Sequence, residues 1–296
     1  MHEDQVDLTT DAAAALILDQ FPQWGDRPIR LLRSTGTDNA IFRIGDDLAA
    51  RFPLRLTDPA TALATLEREA RAGAELAEVS PVPVPHPVAL GEPGAGYPMP
   101  WSVQTWLPGT VATETDPGAS VAFAEDLASF VAALRRADTR GRTFDGAGRG
   151  GVLTDHDEWI GICLTESQGL LDVPRLRDTW ARLRELPRTG ADAMCHGDLI
   201  LGNVLVADGR LGGVLDTGGF APADPALDLV GAWHLLDREP RRVLRAALGC
   251  DDLEWERGKA WAFQQAMGLV WYYVESNPAM SAMGRRTLDR LLEPGA

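Results

Sequence analysis

The sequence predicts an α+β fold, with a small antiparallel sheet near the N-terminus followed by a larger, mostly helical region. Two observations carry this expectation. Three short runs of β-forming residues, Ile29 to Arg33, Ile41 to Ile44 and Leu48 to Phe52, stand close together, the last two joined by Gly45-Asp46-Asp47 as a tight turn. From Ala119 onward apolar residues recur at helical spacing, most clearly over Val121 to Arg136.

Taken in order, Thr10 to Phe21 reads as a first helix, an alanine-rich apolar stripe behind Thr10 as N-cap. The polar stretch Ser34-Thr35-Gly36-Thr37-Asp38-Asn39 separates the first two strands. Thr61 to Glu78 is helical by its alanine, leucine and glutamate content. Pro81-Val-Pro-Val-Pro85 cannot continue a helix and runs extended into Val88 to Gly91, and a further strand from Trp101 stops at Pro108-Gly109. Later helices are expected over Pro174 to Leu186, Ala226 to Leu236, Pro240 to Leu248, Leu253 to Glu275 and Ala279 to Leu292. Within this helical part, Asn203 to Ala207 and Leu211 to Leu215 form a hairpin, because Asp208-Gly209 suits a type I′ turn. The expected division is residues 1–107 for the sheet-bearing part and 108–296 for the helical part.

Composition sets bounds. Of 296 residues, 45% are hydrophobic and 24% charged, enough apolar material for a sizeable core. An acidic excess of 43 over 28 gives −15, which argues against nucleic acid or an anionic membrane as partner and suits a cationic small substrate, although such a charge also serves solubility. Cys163, Cys195 and Cys250 are widely separated and form neither a disulfide framework nor a zinc site. The N-terminus lacks the basic and apolar regions of a signal peptide, and no apolar run is long enough to span a bilayer, so cytoplasm is the expected location. Gly146 to Gly151 contains GxGxxG, yet it follows a polar loop rather than a strand and is not a dinucleotide site. Thr154 and Asp157 fit a capping box.

The chemistry concentrates in Cys195 to Phe220. Asp198 and Asn203 flank a short apolar run, Asp216 ends the hairpin, and Asp224-Pro-Ala-Leu-Asp228-Leu follows. Two carboxylates and a carboxamide at one end of a small ribbon suit phosphoryl transfer, in which Mg²⁺ neutralises phosphate charge while a separate carboxylate accepts the proton of the attacking hydroxyl. Asn203 and Asp216 supply hard oxygen ligands for Mg²⁺. His196-Gly197-Asp198, with Asn203 five positions after that Asp, matches the protein-kinase catalytic loop with Gly in place of Arg, and Asp216-Thr217-Gly218 stands where kinases have DFG. The stretch resembles the aminoglycoside phosphotransferase family, kinase-like enzymes whose catalytic loop reads HGDxxxxN.

The resemblance implies a bilobal protein-kinase-like fold and an ATP- (or GTP-) and Mg²⁺-dependent transfer to a hydroxyl of a small molecule. It makes Asp198 the catalytic base, with His196 beside it holding the loop, and makes Asp228 a brace for that loop, the alternative being an N-cap near Leu229. Ser34, Thr35 and Gly36 correspond to the loop that covers the nucleotide, and Gln104, Thr105 and Trp106 to the hinge whose backbone meets adenine. Kinases carry a lysine on the third strand, but the only Lys here is Lys259, so Arg51 takes that place, paired to Glu69. Glu67 is the other candidate for the pair and could instead join Arg71 on the helix surface. The favoured acceptor is an aminoglycoside-like cation, met by carboxylates such as Asp251, Asp252, Glu254, Glu256 and Glu275. Alternatives are a macrolide, an amino alcohol or a sugar, or a nucleotide-binding pseudokinase without transfer activity.

Overall fold

A computed structural model of the protein describes residues 6, 8–32, 39–188 and 190–293. The chain divides into two compact units, Met1–Glu78 with Pro83–Pro108, and Val79–Val82 with Gly109–Ala296.

The first unit opens with α1 (Thr10–Gln20), whose cap is Thr9 rather than the expected Thr10, since the Ala12 amide donates to the Thr9 hydroxyl at 3.2 Å. Strands β1 (Ile29–Leu32), β2 (Asn39–Ile44) and β3 (Leu48–Pro53) precede α2 (Pro59–Val79), and β4 (Pro87–Gly91) and β5 (Trp101–Thr105) complete an antiparallel sheet ordered β1-β2-β3-β5-β4. Alternation along β3 sorts its residues: Ala50 and Phe52 are fully buried in the core with Phe42, Ile44, Trp101 and Val103, beside Ala13, Leu16 and Ile17 of α1. Phe52 stacks on Trp101 with ring centroids 4.6 Å apart. Arg51 takes the opposite face, across from Ile41 and Ser102.

In the second unit β6 (Thr110–Val111) leads to α3 (Val121–Arg136), α4 (Asp157–Glu166) and α5 (Val173–Leu183). Next come β7 (Ala193–Cys195), β8 (Val204–Ala207), β9 (Arg210–Val214) and β10 (Ala221–Ala223), then α6 (Val230–Leu235), α7 (Arg238–Leu248), α8 (Asp252–Tyr272) and α9 (Pro278–Leu291). The β8–β9 hairpin turns through Asp208 and Gly209, with φ of 51° and 72°, the pair of positive values a type I′ turn needs. Two short pairings were not legible in the sequence, β6 on the edge of that hairpin and β7 with β10. The expected capping box is absent from the cap of α4: Asp157 instead accepts from Trp180 at 2.9 Å and from Arg184 at 2.8 Å, tying α4 to α5. Arg184 and Trp180 are stronger partners for a carboxylate than a backbone amide one turn away. The long α8 runs through the core, burying Trp261, Phe263, Ala266 and Met267.

Candidate active site

The chain leaves β7 directly into His196-Gly197-Asp198, and this loop is held from below by the turn that follows β10. Asp228, 2% exposed, accepts the His196 amide on one oxygen and the Gly197 amide on the other, both at 2.8 Å. Burial pushes the Asp228 carboxyl up, while the neighbouring His196 and the two amides favour its charged form. His196 is itself buried. Its Nε2 lies 2.9 Å from the Leu215 carbonyl, which can only accept, so Nε2 carries the proton and Nδ1 accepts the Asp198 amide at 3.3 Å. Both ring nitrogens are thereby engaged in holding the loop against the end of β9.

Asp198 is about one-third exposed and lies in a ring of donors. Its Oδ1 accepts from Arg149 Nη2 at 2.8 Å and from Gln265 Nε2. Its Oδ2 accepts from Asn203 Nδ2 at 2.7 Å, and the same amide nitrogen donates to the Asp198 carbonyl at 3.0 Å. Oδ2 therefore keeps a lone pair for an incoming hydroxyl, and Asn203 keeps Oδ1 as a possible ligand atom. Asn203 and Asp216 are brought to one end of the hairpin, where the Leu215 amide donates to the Asn203 carbonyl at 2.7 Å. Asp216 is exposed and left-handed, φ 55° and ψ 57°. A non-glycine residue pays strain for that conformation, which is often stored at functional positions. Among the described residues no group of three or more His, Cys, Asp or Glu is placed to hold a metal ion. One carboxylate with one carboxamide is nonetheless a donor set that fits Mg²⁺, which takes only one or two protein ligands when phosphate and water oxygens supply the rest.

In the first unit Glu69 shares the buried stripe of α2 with Leu66, Gly73 and Leu76, and is itself half-buried. Glu67 is exposed and makes the i,i+4 pair with Arg71 at 3.8 Å. Gln104, opposite Ala49, shares the sheet face of Arg51. The amides of Thr105 and Trp106 donate to the His86 carbonyl at 2.9 Å and the Asp47 carbonyl at 2.7 Å. Ser34, Thr35 and Gly36 lie outside the described residues. Lys259 sits 5.7 Å over the Trp233 ring in the second unit.

Two residues that reach Asp198, Arg149 and Gln265, escaped the sequence reading. Arg149 comes from the glycine-rich segment set aside as a dinucleotide motif. Gly150 beside it has φ +111°, and a Cβ there would lie 2.6 Å from that of Ala223, so the glycine lets this loop close on β10 and deliver the arginine. The Gly150 carbonyl accepts the Asp224 amide at 2.8 Å. Asp224, 1% exposed, accepts from Arg257 Nε and Trp261 Nε1, both at 2.9 Å, and so anchors α8 beneath the loop. Gln265, two turns further along α8, reaches Asp198, and its Oε1 meets His234 Nε2 at 3.2 Å. The remaining signal for these residues was slight, an arginine fenced by glycines and a pair of glutamines inside the apolar run from Ala260 to Val270 of α8.

Burial pushes the His234 imidazole down to about 3. The unfolded chain binds this proton near pH 6.5 and the folded chain does not, so the contribution to stability is whole above pH 6.5 and is lost as pH falls toward 3. The loss should run at up to ~1.4 kcal/mol per pH unit. His234→Gln, which cannot titrate, should remove that part of the pH dependence in urea midpoints taken between pH 7 and 4.5. A wild-type and variant difference that does not change with pH would contradict the buried neutral imidazole.

Residues 30–261 match the model of the phosphotransferase enzyme family. The chain belongs to that family. As a member it is an enzyme, a small-molecule kinase. A search of curated proteins by sequence gives no match. Among solved structures, the phosphotransferase is similar to the GDP complex of aminoglycoside 2′-phosphotransferase-IIIa, at 19% identity and TM-score 0.69, over 96% of this chain and 98% of that one. It is similar to macrolide 2′-phosphotransferase MphH from Brachybacterium faecium, at 22% identity and TM-score 0.61, over 97% of this chain and 100% of that one. A third is the streptomycin-ATP ternary complex of APH(2″)-IIa, at 17% identity and TM-score 0.58, over 95% of this chain and 99% of that one. The phosphotransferase shares their kinase-like fold, with an antiparallel sheet in its N-terminal part and helices in its C-terminal part. No helix among the described residues is long and apolar enough to cross a membrane.

Proposed function

We propose that this phosphotransferase moves the γ-phosphoryl group of ATP or GTP onto a hydroxyl of a small antibiotic-like acceptor, aminoglycosides first. The observation that carries the reading is the Asp198 carboxylate, fixed on Oδ1 by two donors and on Oδ2 by one, with one lone pair left on Oδ2. Asp198 takes the proton of the acceptor hydroxyl there and holds the oxygen in line for transfer. His196 and Asp228 position the loop without touching the reacting atoms. Asn203 and Asp216 would hold Mg²⁺, which when bound supplies the positive charge that offsets the phosphate oxygens. Arg51, oriented with Glu69, binds the phosphates as strand cation, and the carbonyls of Gln104 to Trp106 meet the base. The three free, buried cysteines suit a reducing compartment, which with the need for nucleotide triphosphate favours the cytoplasm.

Net charge of −15 and the aminoglycoside complexes among the structural neighbours support a cationic acceptor. Of the five carboxylates named for it, three are engaged otherwise: Asp251 caps α8, Asp252 pairs with Arg245, and Glu254 pairs with Arg135 at 2.7 Å. A second reading, a macrolide-like acceptor, is favoured by the aromatic end of α8, where Trp271 and the 41%-exposed Tyr272 stand with Trp159, 6.2 Å from Trp271 between ring centroids. Incubation with ATP or GTP and streptomycin, kanamycin, erythromycin or choline, read by the mass gain of one phosphoryl group on the acceptor, separates these readings. Nucleotide binding without phosphorylation of any acceptor would favour the pseudokinase instead.

Two further outcomes are expected. EDTA should stop turnover and Mg²⁺ restore it, with Asp216→Asn raising the Mg²⁺ requirement. Full activity in metal-free buffer would contradict the ligand assignment. Arg51→Ala should raise the Michaelis constant for ATP or lower turnover about tenfold, and Arg51→Lys should recover part of the loss by restoring charge without the bidentate fork. Unchanged nucleotide kinetics in Arg51→Ala would remove Arg51 from the phosphate site.

A further inference from the structure

Behind Asp198 a polar column crosses the helical core. Gln265 on α8 donates to Asp198 Oδ1, Gln265 Oε1 faces His234 Nε2 on α6 at 3.2 Å, and His234 Nδ1 faces the Thr287 hydroxyl on α9 at 2.9 Å. His234 and Thr287 are fully buried and Gln265 is 8% exposed, and Arg290 on α9 donates to the His234 carbonyl at 2.9 Å beside the column.

Only one arrangement of protons serves the whole column. A carboxylate can only accept, so the Gln265 amide must turn its NH₂ toward Asp198 and its carbonyl toward His234. Nε2 of His234 must then carry the ring proton, and Nδ1 must accept from the Thr287 hydroxyl, whose single proton then turns to the ring and away from the Met283 carbonyl 3.0 Å off. Burial keeps the imidazole neutral, so the column holds its direction across the physiological pH range. If the Gln265 amide were reversed, its oxygen would oppose the carboxylate. A buried apolar residue in place of His234 would leave the Gln265 carbonyl without its donor and the amide held from the Asp198 side alone.

We infer that Gln265 is a positioning residue for the Asp198 carboxylate, with His234 and Thr287 setting the orientation of its amide from the far side of the core. The column works together with Arg149: the two donors, one from the glycine-rich loop and one from α8, hold Oδ1 while Asn203 holds Oδ2, which restrains the rotation of the carboxylate about its Cβ–Cγ bond and so the direction in which Oδ2 meets the acceptor hydroxyl. The inference rests on the reading of Asp198 as the base. A displacement of about 1 Å at such a carboxylate is enough to slow transfer without altering what binds.

The test uses Gln265→Met, His234→Phe and His234→Gln, with Asp198→Asn in parallel. Turnover is measured with the acceptor phosphorylated fastest in the panel above and, independently of any acceptor, as hydrolysis of ATP with water in its place. Gln265→Met and His234→Phe should lower kcat about tenfold with the Michaelis constant for ATP unchanged. His234→Gln puts an amide N–H where Nε2–H stood and should recover most of the loss seen in His234→Phe. A column that merely supports the fold would lower the melting temperature of all three variants and leave kcat per folded molecule unaltered, which would overturn the inference. Equal losses in His234→Phe and His234→Gln would also overturn it, since the donor and not the volume is the point. If Asp198→Asn keeps its activity, the assignment of the base fails. If Asp198→Asn is inactive while Gln265→Met matches the wild type, the positioning role alone fails.

Discussion

Asp198→Asn should abolish phosphoryl transfer, lowering kcat by at least ~10²-fold while nucleotide binding persists. Two losses coincide in this variant. The proton acceptor disappears, and the new amide cannot satisfy its neighbours: with its oxygen toward Arg149 and Gln265, its NH₂ faces the NH₂ of Asn203, donor against donor. Asp198→Ala removes the base without that clash, so comparing the two separates chemistry from the disturbance of Asn203. Calorimetric titration with ATP should give near wild-type affinity in Asp198→Ala. Turnover by either variant within a few fold of the wild type would remove Asp198 from the role of base.

The largest effect on stability is expected at the buried ion pair beneath the loop. Asp224 and Arg257 are 2% and 1% exposed in their side chains, and Asp224→Ala leaves the guanidinium without its counter-charge in the core. Breaking such a pair costs about 3–5 kcal/mol. The double variant Asp224→Leu with Arg257→Met should recover much of that cost, because the desolvation of both charges is relieved together. Urea denaturation of the single and double variants checks this. A loss below about 1 kcal/mol in Asp224→Ala would show that the pair is not carrying the packing of α8 against the loop.

The legible parts of this protein are those whose physics is local. Asp208-Gly209 determines a turn within two residues, and that turn brings Asn203 and Asp216 to one end of the hairpin, so both were found from spacing. The i,i+4 pair of Glu67 with Arg71 on the surface of α2 is local in the same way and was read from spacing. Arg149 and Gln265 reach Asp198 across 49 and 67 residues of chain, and nothing near them in the sequence points to a carboxylate. Their places depend on the close approach of Gly150 to Ala223 and on the course of α8 through the core, both products of tertiary packing. The capping box at Thr154 failed for a related reason, since a distant Arg184 outbid a neighbouring amide for Asp157.

The hairpin closed by the Asp208-Gly209 turn and by the Leu215 amide on the Asn203 carbonyl acts as a ruler. Its two ends are fastened, so the separation of the carboxamide from the carboxylate is a property of strand register and not of side-chain choice. Gly212 already stands as an unpaired residue in β9, and a further residue inserted in either strand and not bulged out in the same way would turn every later side chain to the opposite face of the ribbon, carrying Asp216 out of alignment with Asn203. Residues added at the tip of the turn, beyond the last paired positions Ala207 and Arg210, would leave the far end untouched. Sequence length is therefore constrained more tightly along the strands than at the tip, where the Gly209 carbonyl accepts the Ser120 hydroxyl at 2.7 Å and an insertion would have to keep that bond.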